Sequence, residues 1–337
     1  MKRWQRRLLW LAVFVAGLLF LISQLNLDEV NALFSQVRVS MILGVVACLA
    51  VSFLLWNLRW QYSLSKLTKI RFFTLLPMLM AGMFFNMVTP TAGMGGEPVR
   101  VYYLSKLSKA RKTSMFVLTA TEKLFGTVVL AVMLVFSLIF AAIFIPEEWI
   151  IKGVLIVLFL LLVFIIVLLA RILKKIRIHE SRYIQLIVKF AFKIKAFSRK
   201  FSSYGEFVQY VEARLEWAKT LLKRMLRNRQ FVASNLLLTL AITIVNYLAF
   251  YLSLLAFNTS MPFLQVIVVF TIASVIADIT FIPGGAGLTE AIAIGLYNAF
   301  GVPLAIAALA TLLYRTLYYI FTIGAGYLCL VYLHMKE

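Results

Sequence analysis

Two segments of the 337-residue chain combine proline, glycine and glutamate at the same spacing. Residues 89–97 and 282–290 each interrupt an apolar stretch and place a glutamate seven residues after a proline. Proline removes a backbone donor and glycine allows a tight turn, so each segment predicts a break between two helices. A helix that begins after such a turn directs free N–H groups and a partial positive charge outward. We therefore expect helix starts near Gly95 and Gly287 that suit a phosphate or a carboxylate, with a tight turn that binds no ligand as the alternative.

Charged side chains within apolar stretches are the next candidates, because they are costly in a membrane and usually face a cavity or a partner. Glu290 and Arg315 have apolar neighbours on both sides, and we expect them to pair and to line a cavity; a structural salt bridge is the alternative. Glu97 and Arg100 are three residues apart, so we expect a pair on one helix face, either at the site or at the membrane interface. The candidate substrate-binding residues are Pro90, Gly93, Gly95, Gly96, Glu97, Arg100, Glu122, Asp278, Pro283, Gly284, Gly285, Gly287, Glu290 and Arg315.

The composition requires lipid as the main solvent of this chain. Hydrophobic residues make up 63% of the sequence and the mean hydropathy is +0.96. The net charge is +21, and the Lys and Arg residues that produce it lie between the apolar runs, as they do in cytoplasmic loops. We therefore do not expect a nucleic-acid partner. The sequence has two cysteines and two histidines, and they are far apart, so we expect no disulfide framework, no metal and no cofactor.

Loop charges predict the topology, because Lys and Arg collect in cytoplasmic loops. Residues 72–92 lie between two basic loops and cannot cross the membrane, so we predict a re-entrant hairpin over 72–105 that turns at 90–96. By analogy, 262–300 forms a second hairpin that turns at 283–287. The fold prediction is an all-α integral membrane protein of the cytoplasmic membrane, with a cytoplasmic N-terminus, about six spanning helices and two re-entrant hairpins. The predicted spans outside the hairpins are 8–25, 40–58, 114–145, 149–170, 231–257 and 303–333.

The spacing of charged residues also predicts an inverted repeat. Glu122 follows Pro90 by 32 residues, and Arg315 follows Pro283 by 32 residues. The predicted units are 1–39 (first span and outer loop), 40–145 (first repeat), 146–230 (a span and a basic segment) and 231–337 (second, inverted repeat). Segment 171–230 contains 16 Lys and Arg and four Asp and Glu, interleaved with apolar residues, and we expect amphipathic helices on the anionic inner leaflet.

Several short patterns along the chain are similar to those of one known family: Arg59-Trp60, the stretch from Asn86 through Pro90 to Gly95-Gly96 with Arg100, Pro283-Gly284-Gly285 with Gly287 and Glu290, and Arg315. On these residues the chain resembles the transmembrane, flippase-like domain of lysylphosphatidylglycerol synthases, the multiple peptide resistance factor family. The resemblance covers nearly the whole chain. Glu122-Lys123 departs from the Glu-Arg of that family, and Gly126 stands where the family has an acidic residue, which weakens any inherited role for this helix.

We expect a stand-alone member of that family that lacks the soluble synthase domain. The resemblance therefore implies that this protein moves lipids and does not synthesise them. We expect a lipid flippase or scramblase that is not an enzyme, in which Arg315 and helix N-termini hold a phosphate. Glu97, Glu290 and Asp278 would contact a cationic headgroup or carry a coupled proton. Two alternatives stay open: a non-transporting membrane subunit that supports a lipid-modifying enzyme or a glycosyltransferase, and a transporter of small anions. Oligomer formation is compatible with each of them.

Overall fold

The computed structural model describes residues 37–91, 93–108, 111–144, 201, 203–280 and 282–336. These ranges are helical and contain no strand. The predicted spans 8–25 and 149–170 and the basic stretch 171–200 lie outside the described residues. The described helices are α1 Val39–Leu64, α2 Phe72–Val88, α3 Gly96–Leu107, α4 Lys112–Phe144, α5 Tyr204–Arg227, α6 Arg229–Leu255, α7 Phe263–Ile279, α8 Leu288–Ala299, α9 Leu304–Tyr319 and α10 Gly326–Met335.

Two groups of helices follow the same order with nearly the same lengths. In the first half (39–144), α1 to α4 contain 26, 17, 12 and 33 residues. In the second half (229–335), α6, α7 and α8 contain 27, 17 and 12 residues, and the continuous helix Leu304–Met335 contains 32. Each half is therefore a long helix, a hairpin of two shorter helices and a second long helix.

The long helices of both halves are apolar enough and long enough to cross a membrane. They are α1, α4, α6 and Leu304–Met335. Their outward faces are apolar; for example, Val132, Leu237 and Leu328 are between 61% and 69% exposed. Helices α2 and α7 are also apolar but have 17 residues each, fewer than the roughly 20 that a spanning helix needs.

Sequence signals explain where several helices begin and end. The Asn228 side chain caps α6 by accepting a hydrogen bond from the N–H of Phe231 (3.0 Å), and Ser203 caps α5 in the same way through Glu206 (3.1 Å). Prolines 262 and 303 stand directly before α7 and α9, where their missing N–H groups cost no helical hydrogen bond. Polar residues within the apolar helices mostly bond a carbonyl of the preceding turn, as Thr121 does to Val117 (2.7 Å).

Glycine allows the two helices of the first hairpin to approach closely. A Cβ atom at Gly96 would overlap the backbone of Gly82, so α2 and α3 cross with their backbones in contact. In the second hairpin, a Cβ at Gly285 would lie 2.5 Å from the Cβ of Ala277, which leaves no room for a side chain there. Both hairpins therefore depend on glycine at the place where their helices meet.

Helix α5 is the described part of the basic segment. Phe207 and Met225 are its buried residues, and the Arg111 guanidinium lies 5.9 Å from the ring centre of Trp217. The exposed cations Lys219, Lys223 and Arg227 follow one another at intervals of four residues on the outer face. The helix is thus amphipathic, as the sequence predicts for this stretch; its contact with a leaflet stays a prediction.

A short stretch of π-helix, Ile320–Ala325, joins α9 to α10. It comes directly after Tyr319, and it is followed by Gly326, whose Cβ position lies 2.7 Å from the carbonyl oxygen of Met80. The close packing of α10 on α2 therefore begins where the π-helical stretch ends. No feature of the sequence predicted this stretch.

Candidate functional site: a polar cavity between two helical hairpins

The turns of the two hairpins lie against each other. Gly284 has a φ of +59°, and its Cβ position lies 3.1 Å from Sδ of Met87 at the end of α2. Gly93 has a φ of +68°, and its Cβ position lies 3.6 Å from Oδ1 of Asp278 at the end of α7. Each turn thus needs a glycine conformation and contacts the opposite hairpin, so the two breaks predicted from the sequence form one locus.

A cavity of about 160 Å³ opens at this locus. It has room for on the order of ten water molecules, which is enough for a compact polar group and too small for acyl chains. Besides the hairpins, α1, α6 and α9 contribute to its wall. Its uncharged polar lining includes Ser52, Asn86, Asn246, Ser274, Thr289 and Thr311, and its aromatic lining includes Phe53, Trp56, Phe250, Phe270, Tyr314 and Tyr318.

Arg315 joins α9 to the second hairpin through a buried network. Its Nε donates to Oε1 of Glu290 at 2.6 Å, so the predicted ion pair is present. Its Nη2 donates to the carbonyl oxygen of Gly284 (2.7 Å) and to the hydroxyl of Tyr319 (2.6 Å). Charge-assisted hydrogen bonds of this kind are the strong ones, so the guanidinium is held rigidly between the turn and α9.

At the starts of the helices that follow the two turns, backbone N–H groups already donate to side chains of the protein. The N–H of Gly287 donates to Oε2 of Glu290 (2.8 Å), and the N–H of Gly96 donates to Oδ1 of Asn86 (2.6 Å). We expected free donors at these starts, and these two are not free. The side chain of Asn86 on α2 thus caps the start of α3 within the first hairpin.

The first half contains a second buried ion pair with a different partner from the expected one. Arg100 donates from Nη2 to Oε2 of Glu122 at 2.9 Å, so the predicted pairing of Arg100 with Glu97 is wrong. The geometry explains the difference: the Arg100 guanidinium lies over the ring of Trp60, 4.1 Å from its centre, on the side that faces α1 and α4. Glu122 is 2% exposed, so the pair is buried within the protein.

Several atoms around this first-half pair are buried without a partner. Among the described residues, Oε2 of Glu97, Oε1 of Glu122 and Nε of Arg100 have no hydrogen bond. The neighbouring Arg59 donates from Nη1 to Thr239 (2.7 Å), but its Nε is also unpaired. Buried polar groups usually have a partner, so unpaired atoms in this number mark an incompletely bonded polar cluster. This cluster is separate from the cavity, because its residues do not line it.

The structure brings five of the predicted site residues to the cavity wall: Gly93, Asp278, Gly284, Gly285 and Arg315. Glu290 lies directly behind Arg315, and Pro283 and Gly287 belong to the same turn. The other predicted residues are in the first hairpin or beside it and do not line the cavity: Pro90, Gly95, Gly96, Glu97, Arg100 and Glu122.

Sequence reasoning missed three residues of the two polar clusters. Tyr319 donates from its hydroxyl to Oε1 of Glu290 at 3.2 Å, and it lies four residues after Arg315 on the same helix face. That spacing is a signal that the sequence offers. Thr239 and Asn246 lie within apolar α6, and only the packing of α6 against α1 and the hairpins shows that they face polar clusters. Within the described residues, no group of three His, Cys, Asp or Glu side chains forms a metal site.

The fold and the site define a class: a helical integral membrane protein with paired helical hairpins around a polar cavity. Residues 7–326 match the sequence model of a protein family, the lysylphosphatidylglycerol synthase TM region, and the chain belongs to this family. Related proteins include a UPF0104 membrane protein of Methanothermobacter thermautotrophicus, 28% identical over 72% of this chain and 70% of the relative. A UPF0104 membrane protein of Pyrococcus horikoshii is 24% identical over 96% of this chain and 97% of the relative. One of Methanocaldococcus jannaschii is 26% identical over 93% and 91%.

Proposed function

We propose that this protein is a membrane lipid translocase, a flippase or scramblase for a phospholipid or glycolipid. The lipid headgroup passes between the two hairpins while the acyl chains stay in the bilayer. The described residues offer no nucleotide-binding element, so the movement is passive or coupled to an ion. The observation that carries this proposal is the polar cavity at the junction of the two hairpin turns, inside a body whose outer faces are apolar.

The helix lengths support a re-entrant arrangement of the hairpins. Helices α2 and α7 are too short to cross, and each returns at its glycine turn through a helix of 12 residues. Irregular backbone at membrane depth is tolerated where it lines a wet cavity. We infer that the hairpins enter from opposite sides and meet near the middle of the bilayer, as expected for an inverted repeat.

The inverted arrangement has its own test. Single cysteines replace Phe73 and Leu264, which are exposed at the first turns of α2 and α7, in a chain whose Cys48 and Cys329 are replaced by serine. They are labelled with membrane-impermeant reagents in sealed vesicles. We expect access to the two positions from opposite sides. Labelling of both positions from the same side would contradict the inverted repeat.

Lipid movement is the direct test of function. Purified protein is placed in vesicles with fluorescent lipids of several headgroups, and dithionite destroys the fluorescence of the outer leaflet. We expect a loss of the protected inner pool that protein-free vesicles do not show. No movement of any lipid, with and without a proton or sodium gradient, would refute the proposal and favour the non-transporting subunit.

A second candidate, a transporter of small anions, is favoured by the size of the cavity, which can enclose a phosphate completely. The same vesicles test it with radioactive phosphate and sulfate. Anion uptake without lipid movement would favour this candidate, because a lipid translocase moves the headgroup only together with its acyl chains.

A further inference from the structure

The cavity has one charged side chain of each sign. Of its described lining residues, only Asp278 and Arg315 are charged, and Tyr318 interacts electrostatically with both of them. They come from different elements, the end of α7 and the middle of α9. A cavity with a separate negative and a separate positive group is complementary to a ligand that is itself zwitterionic.

Arg315 provides a donor for an anionic group. Its Nε and Nη2 are used by Glu290, Gly284 and Tyr319, whereas Nη1 has no hydrogen-bond partner among the described residues. The side chain is 10% exposed and lines the cavity, so Nη1 is the donor that remains for a ligand. A fixed, charged N–H donor forms a short and strong hydrogen bond to a phosphate oxygen.

Asp278 provides the opposite group. It has no hydrogen bond or ion pair to any described residue, and its side chain is exposed in the cavity. Lys123 is the cation that interacts with it, and the Cβ position of Gly93 lies between the two, 3.4 Å from Nζ of Lys123. Asp278 is also in the last turn of α7, where the helix dipole adds negative potential and favours a cation.

Aromatic rings form much of the remaining wall. Phe53 and Trp56 come from α1, and Tyr314 and Tyr318 come from α9. The faces of such rings attract ammonium groups, whether these are primary or quaternary. The rings therefore add to the preference for a cation that Asp278 creates. An uncharged glycerol or sugar headgroup would form only hydrogen bonds with polar residues of the wall such as Ser52, Asn246 and Thr289.

We propose that the cavity binds a zwitterionic phosphodiester headgroup with a single ammonium group. The phosphate contacts Nη1 of Arg315, and the ammonium group contacts Asp278 and the aromatic wall. The volume of about 160 Å³ restricts the ligand to a compact headgroup. This inference rests on the proposed lipid translocation, because it assigns the substrate class of that same site.

Binding is measured first, separately from translocation. The full chain in detergent is titrated with short-chain phosphatidylethanolamine, phosphatidylcholine and phosphatidylglycerol, and the fluorescence of Trp56 at the cavity wall reports binding. Protein with Trp56 replaced by phenylalanine identifies the signal. We expect both ammonium lipids to bind about tenfold more tightly than the glycerol lipid, the loss that follows when a charge-assisted hydrogen bond is missing.

Two substitutions test separately the contact of Asp278 with the ammonium group and the contact of Arg315 with the phosphate. Asp278→Asn should remove the preference for ammonium lipids and leave the affinity for the glycerol lipid unchanged. Arg315→Gln should weaken all three lipids alike. Asp278→Glu, which keeps the charge, should keep the preference, and the surface variant Glu216→Gln on α5 is the matched control. Gel filtration shows which variants are folded.

The outcomes are distinct for the two proposals. Equal binding of all three headgroups, or an unchanged preference in folded Asp278→Asn, would overturn the headgroup assignment even if lipids are translocated. Selective binding without movement in vesicles would keep the assignment and refute the translocase. Tighter binding of ethanolamine than choline would show that Asp278 dominates, and the reverse order would show that the aromatic wall dominates; both support the shared ammonium group.

Discussion

The two halves of this protein each contain a buried ion pair of arginine and glutamate, in opposite orientation. In the first half the hairpin carries the cation, Arg100, and the long helix carries the anion, Glu122. In the second half the hairpin carries the anion, Glu290, and the long helix carries the cation, Arg315. Both pairs link a hairpin to the long helix that follows it, yet only the second one lies at the cavity.

The pairs also differ in how completely they are bonded. Arg315 and Glu290 together contact a backbone carbonyl, a backbone N–H and Tyr319. Nε of Arg100 and Oε1 of Glu122 have no hydrogen-bond partner, and the Arg100 guanidinium packs over the ring of Trp60. The second half thus holds its hairpin turn through a well-bonded ion pair beside the cavity, whereas the first half holds its hairpin through packing and an incompletely bonded polar cluster.

The largest expected effect is the loss of Arg315. Arg315→Ala leaves Glu290, Gly284 and Tyr319 without their partner, and removing one member of a buried pair costs about 3–5 kcal/mol. We expect lipid movement to be abolished and the melting temperature in detergent to fall. Arg315→Lys separates the two effects, because it keeps the charge but not the fork of donors. Normal lipid movement in folded Arg315→Ala would contradict the assigned role.

Replacing both ion pairs with apolar residues tests whether the halves differ in function. Such a replacement of a buried pair is often neutral for stability. The double variant R100M/E122L should be more stable than either single variant and should keep lipid movement. R315M/E290L should not recover, because three backbone and hydroxyl groups lose their partners. Equal loss of movement in the two double variants would show that the halves are functionally equivalent.

Glycine at the hairpin crossing gives an intermediate effect. Gly96→Ala places a methyl group against the backbone of Gly82, and we expect a loss of about 1–3 kcal/mol from forced separation of α2 and α3. Gly126→Ala on α4 is the matched control. Its Cβ position meets nothing within 4 Å, and a helical alanine is more stable by about 0.5–1 kcal/mol. Thermal unfolding that ranks these variants in the reverse order would refute the close crossing.

An effect no larger than that at Gly96 is expected at the contact between the first helices of the two halves. Thr239→Val on α6 removes the acceptor of Arg59 on α1 and should cost about 1–3 kcal/mol. Thr311→Val removes a buried hydroxyl that has no partner among the described residues, and its melting temperature should be unchanged or higher. If the two valine variants melt alike, the bond of Arg59 to Thr239 does not contribute to stability.

Local signals in the sequence predicted the elements well. The proline and glycine breaks at 90–96 and 283–287 coincide with the observed turns, since few other residues interrupt an apolar helix there. The pairing of Glu290 with Arg315 was also predictable, because isolated charges within apolar helices are costly and opposite charges there usually form a pair.

Other interactions between helices were not predictable. The partner of Arg100 depends on how α3 packs against α1 and α4, and a spacing of three residues could not show that Glu122 and Trp60 approach from other helices. The capping of Gly287 by Glu290 likewise depends on the exact turn geometry. Composition and periodicity describe one helix at a time, whereas these contacts are decided by the relative positions of several.

The π-helical stretch Ile320–Ala325 allows one continuous helix to serve two neighbours that lie in different directions. An α-helix turns by about 100° per residue, so the extra residue of a π-helical turn rotates everything after it by that angle. Arg315 faces the cavity before the stretch, and Gly326 faces Met80 after it. Deleting one residue here would restore a regular helix and turn Gly326 away from α2 without touching Arg315. The number of residues between Arg315 and Gly326 is therefore constrained, whatever the side chains in between. Relatives aligned across this stretch should keep the same number of residues.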